Sequence, residues 1–252
     1  MKIKIILFFV LCYLLSLLIT LPANKVTGFI PARSGIQIAS VSGSIWQGRA
    51  NQLTYKRKYH LQQVDWQIDW SALLNLHLKL NIEFTNGAHA MSGKGAVLFG
   101  ISGVSVENLT VDSSAAELLA YLKLPLPVPV EATGNLLLEI KSATQGQPYC
   151  QLLDGDISWQ DAEVNSDLGN IDLGTVDIDL SCEDGQLAAS LQQQSGQLKS
   201  TIKMLLKEGG AYQLQGSLKD SDKLEPSIKQ ALSWLGRTTS SGETQLNYKG
   251  RL

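Results

Sequence analysis

Val64-Asp65-Trp66-Gln67-Ile68-Asp69-Trp70, followed a few residues on by Leu76-His77-Leu78-Lys79-Leu80-Asn81-Ile82-Glu83-Phe84, alternates apolar with polar side chains. A side-chain period of two places Val64, Trp66, Ile68 and Trp70 on one face of a strand, and Leu76, Leu78, Leu80, Ile82 and Phe84 on one face of the next. Their polar neighbours point the other way. Two such strands in succession predict an antiparallel sheet with one oily and one wet face.

The same grammar extends outward. Upstream, Ile36 to Val41 reads as a first strand, and Gly43 and Gly48 bracket Ile45 and Trp46 as at a bulge or tight crossing. The basic cluster Lys56-Arg57-Lys58 lies between two apolar patterns and reads as a solvated hairpin turn. Downstream, Asn86-Gly87 is a turn dipeptide, and Gly93, Gly95, Gly100 and Gly103 punctuate further short strands. Val176, Ile178 and Leu180 alternate with Asp177 and Asp179. Asp184-Gly185 then predicts a hairpin leading to Leu187, Ala189 and Leu191. More strands are expected at Leu198–Leu206, Tyr212–Leu218 and Thr244–Leu252.

Two segments break the period. Ala115 to Leu124 has helical spacing, with Ser113 or Ser114 available as a cap. Pro226 to Leu235 is a short amphipathic helix with proline in its first turn and Gly236 after it. Pro125-Leu126-Pro127-Val128-Pro129 cannot continue a helix or a central strand and reads as a seam between two halves. Gly155-Asp156-Ile157-Ser158-Trp159-Gln160 echoes Gly43-Ser44-Ile45-Trp46-Gln47-Gly48 as a weak internal repeat.

Ile5 to Leu21 contains no charged residue. As a helix it covers ~26 Å, slightly short of a ~30 Å hydrocarbon core. Ile3, with Lys2 and Lys4 snorkelling, closes the gap. Lys2 and Lys4 precede the run, so the positive-inside rule keeps the amino terminus cytoplasmic. A cleaved signal peptide is the competing reading. The apolar run is longer than the usual ~7–15 residues, and Leu21 and Pro22 suit a cleavage site after Ala23 poorly. An uncleaved anchor is preferred, and both readings put the remaining chain outside the cytoplasm.

The expected fold class is mainly β: a transmembrane helix followed by a large antiparallel sheet module, curved or two-layered, with two short helices. Its parts are a cytoplasmic tip at 1–4, the span at 5–21, a first β half at 22–124 and a second, weakly repeated half at 125–252. With so few helices, the oily face must be buried by the sheet folding on itself, or left as an open groove.

The 21 basic and 23 acidic residues nearly balance, and no basic surface suggests nucleic acid. Of three cysteines, Cys12 falls in the apolar run. Cys150 and Cys182 fall in the exported part, where an oxidising compartment lets them pair. The alternative is two buried thiols that never meet. No zinc site is expected, because neither has a close Cys or His partner. His60, His77 and His89 stand apart, and no nucleophile elbow, phosphate loop or zinc-protease motif is present. The acidic residues between Asp154 and Asp179 lack calcium-loop spacing. The chain therefore reads as a non-enzyme without a cofactor or metal.

Taken with the apolar amino-terminal run, Gly43-Ser-Ile-Trp46-Gln-Gly48, Val64-Asp-Trp66-Gln-Ile68-Asp-Trp70, Leu152-Leu-Asp-Gly155-Asp-Ile157-Ser-Trp159 and Leu180-Ser-Cys182-Glu-Asp-Gly185 resemble protein N of the type II (general) secretion pathway. The resemblance implies an inner-membrane, single-pass component of a secretion machine, with a periplasmic domain, no active site, and other secretion subunits as partners. It also aligns Cys150 and Cys182 with a family cysteine pair, which favours the disulfide. The residues alone also point to a different class of function, a membrane-tethered groove holding lipid along the Leu76–Phe84 stripe.

Overall fold

The structure is a computed structural model that describes residues 2–26, 31–87, 90–101, 103–122, 129–240 and 242–251. His89 and most of the proline seam, residues 123–128, lie outside the described residues. The chain divides into two compact units, Met1–Ala88 and His89–Leu252. The division falls before the proline seam expected to separate the halves, because the strands on either side of that seam pair with each other.

The first unit begins with α1 (Lys2–Ile19) and the short α2 (Ala23–Val26). Four strands follow as an antiparallel meander: β1 (Ile36–Gly43), β2 (Gln47–Tyr55), β3 (Tyr59–Asp69) and β4 (Leu78–Thr85). The basic cluster is the β2–β3 turn, as the sequence predicts. Lys56 and Arg57 take positive φ, as a tight hairpin turn demands, and the Lys56 and Lys58 ammonium groups lie over the Tyr55 and Tyr59 rings. Between β3 and β4 the chain forms a 3-10 helix, Trp70–Asn75, not a tight turn.

The second unit has ten antiparallel strands, in meander order as far as β12. It runs through β5 (Ser92–Gly100), β6 (Gly103–Ser114), β7 (Val130–Gln145), β8 (Cys150–Ser166), β9 (Gly169–Glu183), β10 (Gln186–Gln194), β11 (Leu198–Leu206) and β12 (Ala211–Asp220). Beyond β12 lie β14 (Glu243–Arg251) and then the two-residue β13 (Arg237–Thr238) at the edge. Helix α3 (Ala115–Leu122) packs against β6 and β7, with Ser114 Oγ accepting from the Glu117 N–H. Helix α4 (Pro226–Leu235) has the predicted bounds. Gly236 after it is extended, not left-handed. It is needed for close approach, since a Cβ there would fall on the Gln245 carbonyl of β14.

Neither unit has a large closed core. Among the described residues no large side chain is less than 2% exposed. The densest packing is local: Leu198, Leu218 and Leu246 are buried together, with Leu232 of α4 and Leu173, Ile202 and Leu214 around them.

Cys150 and Cys182 form a disulfide between the start of β8 and the end of β9, with Cα atoms 6.1 Å apart. The join is reinforced where the Tyr149 and Cys150 N–H groups both donate to the Gly185 carbonyl. Tyr149 Oη donates to the Lys207 carbonyl and accepts from the Gly210 N–H, tying the β11–β12 connection to the same corner.

Replacing both cysteines by serine removes a 32-residue loop closure and is expected to cost about 3–4 kcal/mol. Urea unfolding of the Cys150→Ser/Cys182→Ser protein, compared with wild type, measures it.

Candidate binding face

The register of the second unit converts strand alternation into rows that run across the sheet. Val111 faces Leu138, which faces Ile157, then Ile178, Leu191, Ile202, Gly216 and Leu246. Gly93 of β5 begins the same row. One aliphatic or glycyl position from each of nine strands thus lines up. At ~4.8 Å per strand, eight steps make ~38 Å. A second row two residues along each strand holds Leu109, Ile140, Gly155, Leu180, Ala189, Met204, Leu214 and Tyr248. On the other side Ser113, Leu136, Trp159, Val176, Gln193, Ser200, Leu218 and Thr244 make a third. None of these positions carries an acidic, basic or histidine side chain.

The intervening positions carry the opposite character. Thr110, Glu139, Asp156, Asp179, Ser190, Lys203, Gln215 and Asn247 pair in sequence on the wet face. Lys141 lies 3.9 Å from both Asp154 and Asp156, and Lys203 is 2.7 Å from Glu183. These pairs are exposed and contribute little to stability. The oily rows are graded in cover. Val176, Gln193, Ser200, Leu218 and Thr244 of the third row are buried, whereas Val111, Leu138, Ile157, Ile178, Leu191 and Ile202 are only half-buried. Gln193 lies among them with its amide nitrogen donating to the Leu173 and Leu198 carbonyls, while its Oε1 is buried without a partner.

In the first unit Val64 and Ala50 face each other and are buried, Trp66 faces Ile82 and Ile68 faces Leu80. Leu78 and Phe84 are half-buried. Trp66 crosses Gly48 of β2 and donates its Nε1–H to the Ile45 carbonyl at 3.2 Å. A Cβ on Gly48 would meet that indole and come within 2.7 Å of the Ser42 carbonyl oxygen. Trp159 repeats the device in the second unit. Its Nε1–H donates to the Thr133 carbonyl at 2.8 Å, beside Gly134 at φ +98°. The structural counterpart of Trp159 is therefore Trp66, whereas the sequence echo pairs it with Trp46. Trp46 lies in the β1–β2 connection and packs on Trp70, ring centres 3.9 Å apart.

Two residues assigned to the oily face lie elsewhere. Trp70 opens the 3-10 helix and is half exposed. Leu76 ends it in a left-handed conformation (φ 59°) and is 73% exposed. The alternation from Leu76 hides this, because the strand starts only at Leu78. Asp69 caps the helix, its carboxylate accepting from the Ser71 hydroxyl at 2.7 Å and the Ser71 N–H at 2.9 Å. These bonds, the hydroxyl first, hold its pKa below the usual carboxylate value. Arg49 pairs with Asp65 through two bonds of 2.7 and 3.0 Å on the wet face. The guanidinium pKa is raised by that hydrogen bonding and by the carboxylate charge.

His60 is hydrogen-bonded to Thr54 Oγ1 at 3.0 Å, and His77 follows the 3-10 helix. Among the described residues no three His, Cys, Asp or Glu side chains gather closely enough to hold a metal ion. Among the described residues, too, no helix is long and apolar enough to cross a membrane. Helix α1, at 18 residues, covers ~27 Å.

Residues 34–247 match the family model for type II secretion system (T2SS) protein N. Type II secretion system protein N of Vibrio cholerae is 32% identical over 238 residues, 94% of this chain and 93% of the relative. The Aeromonas hydrophila protein of that name is 30% identical over 253 residues, covering 100% and 99%. That of Pectobacterium carotovorum is 30% identical, covering 96% and 94%. No solved structure matches the chain.

The graded cover predicts graded costs. Leu218→Ala, beneath α4, is expected to lose about 2–5 kcal/mol, the range for a buried leucine, and Leu191→Ala in the half-buried row markedly less. Chemical denaturation of the two variants side by side checks the order.

Proposed function

Because the chain belongs to the type II secretion system protein N family, we propose that it is a non-catalytic subunit of that machine, tethered to the inner membrane, with both β units on the periplasmic side. Helix α1 is the tether. Its Ile5–Leu11 side chains are each at least half exposed, as are Tyr13 and Leu14, so its apolar surface lacks protein cover around the circumference. A helix of that kind is stable where lipid covers it. Its small shortfall in length is met by local thinning of the bilayer and by Lys2 and Lys4 at the near interface. The disulfide fits an oxidising compartment beyond the membrane.

The observation that carries the role is the uninterrupted oily row from Val111 to Leu246. A sheet that maintains such a row across so many strands and leaves it half covered is built to receive another surface. The family makes a neighbouring secretion subunit the favoured occupant. The protein is expected to copurify with inner-membrane secretion subunits after mild detergent extraction. Ile157→Asp or Ile178→Asp should weaken that copurification while leaving the disulfide formed. Recovery of the protein free of every secretion subunit would reject the role.

One observation favours a second reading, in which an acyl chain lies in the oily row. The row lacks the arginine and aromatic side chains that anchor protein interfaces. Its central members are Val, Leu and Ile. Native mass spectrometry of the purified protein should then show a retained phospholipid, lost in Ile178→Asp.

A further inference from the structure

We propose that the 3-10 helix Trp70–Asn75, with Leu76 and the stacked Trp46, is a second membrane contact, a shallow apolar knuckle that dips into the lipid headgroup boundary beside the end of α1. The proposal rests on the reading of α1 as the tether.

The placement follows from hydrogen bonds within the first unit. The Leu21 carbonyl, just past α1, accepts from the Ile45 N–H at 3.0 Å, and Pro22 bridges to Ser44. The α1 exit is thereby fixed to the β1–β2 connection. That connection is fixed in turn to β3, where the Ile68 N–H donates to the Trp46 carbonyl at 2.7 Å. The 3-10 helix begins two residues later, and Trp70 stacks on Trp46. The knuckle and the end of the tether thus share one end of the first sheet. The charged turn Lys56-Arg57-Lys58 caps the other end, beyond the nine residues of β2, a length of ~30 Å.

The chemistry of the knuckle suits lipid. Residues 70–76, Trp-Ser-Ala-Leu-Leu-Asn-Leu, carry no charge. Leu73, Leu74 and Leu76 are 40%, 88% and 73% exposed, and Trp70 is 46% exposed. Bulky apolar side chains displayed together at a turn are costly in water. Tryptophan prefers the membrane–water boundary, where an apolar body meets a polar tip. An apolar surface seated there enters about 5–10 Å. The Asp69 cap on Ser71 and the left-handed Leu76 hold the turn in the shape that presents these side chains. With α1 as one attachment and the knuckle as another, the first sheet is held at a fixed inclination to the membrane and cannot swivel about a single helix.

The test uses the full chain with Cys12→Ser and the disulfide left intact, reconstituted in nanodiscs of phosphatidylethanolamine and phosphatidylglycerol. An environment-sensitive NBD label is attached at Leu74→Cys, Leu11→Cys or Arg57→Cys in turn. The expected result is blue-shifted emission at 74, quenched more by doxyl groups near the headgroup than by deep ones, with an aqueous, unquenched spectrum at 57. The label at 11 reads the tether separately and should be quenched by deep doxyl groups. An aqueous spectrum at 74 with quenching at 11 overturns the knuckle and leaves the tether standing. Quenching at 74 without quenching at 11 removes the tether and with it the knuckle as a second contact, so it overturns both. A blue shift at 74 that doxyl lipid leaves unquenched, and that fades as protein per disc is lowered, identifies a second copy as the occupant and overturns the proposal. Equal quenching at 57 and 74 also overturns it, since the whole sheet then lies on the lipid.

Discussion

The fold depends on holding one register through a long series of strands. Side chains alternate with period two, so a slip of a single residue in any pair would turn that strand's oily positions to water. In the second unit the pairs from Val111 to Leu246 keep in step across eight strands. Where strands are long, irregularities absorb the strain of twisting. The β7–β8 ladder shifts near Gly134, Lys141 and Thr144, and the β8–β9 ladder shifts around Ala162. These are sites where an extra residue bends the strand without exporting the error to its neighbours. Glycines within the oily rows let strands approach where a side chain would collide. At Gly155 a Cβ would lie 2.8 Å from the Ile140 side chain.

Much of this was legible from residue order. The alternation of Val64 to Ile68, the hairpin at Asp184-Gly185 and the bounds of Leu198–Leu206 and Pro226–Leu235 all rest on local rules, and local rules were obeyed. The cysteine pair followed from compartment and family likeness. What was hidden depends on neighbours. Leu76 continues the alternation on paper but caps a helix with a left-handed backbone, which no periodicity reveals. The likeness of Trp159 to Trp66 depends on a glycine in the adjacent strand, far off in sequence. Gln63 and Ser40, at positive φ, interrupt patterns that otherwise look regular. The proline seam drew attention to itself, yet β6 and β7 on either side pair as closely as any strands in the unit.

Cover is distributed unevenly over the oily face. Under α4 the leucines of β11, β12 and β14 form a true if small core. Away from α4 the row from Val111 to Ile202 is only half covered, although Val176 and Gln193 beside it are buried. One continuous set of non-ionic positions is thus packed under α4 at one border and half exposed along its first row. The wet face has the ordinary charged pairs of a solvated sheet, so the two faces differ in chemistry while sharing every backbone hydrogen bond.

Nearly every strand in each unit bonds only to the strands before and after it in the chain. Such a meander can be laid down in order, each new segment finding its template already in place. A chain made available strand by strand in sequence order can zip up with no waiting for a remote partner. The exception is the last strand, which skips past α4 and β13 to reach β12 and brings Leu246 into the core. Assembly therefore finishes with a latch, and a chain that stalls before it leaves Leu198 and Leu218 without the cover that Leu246 supplies.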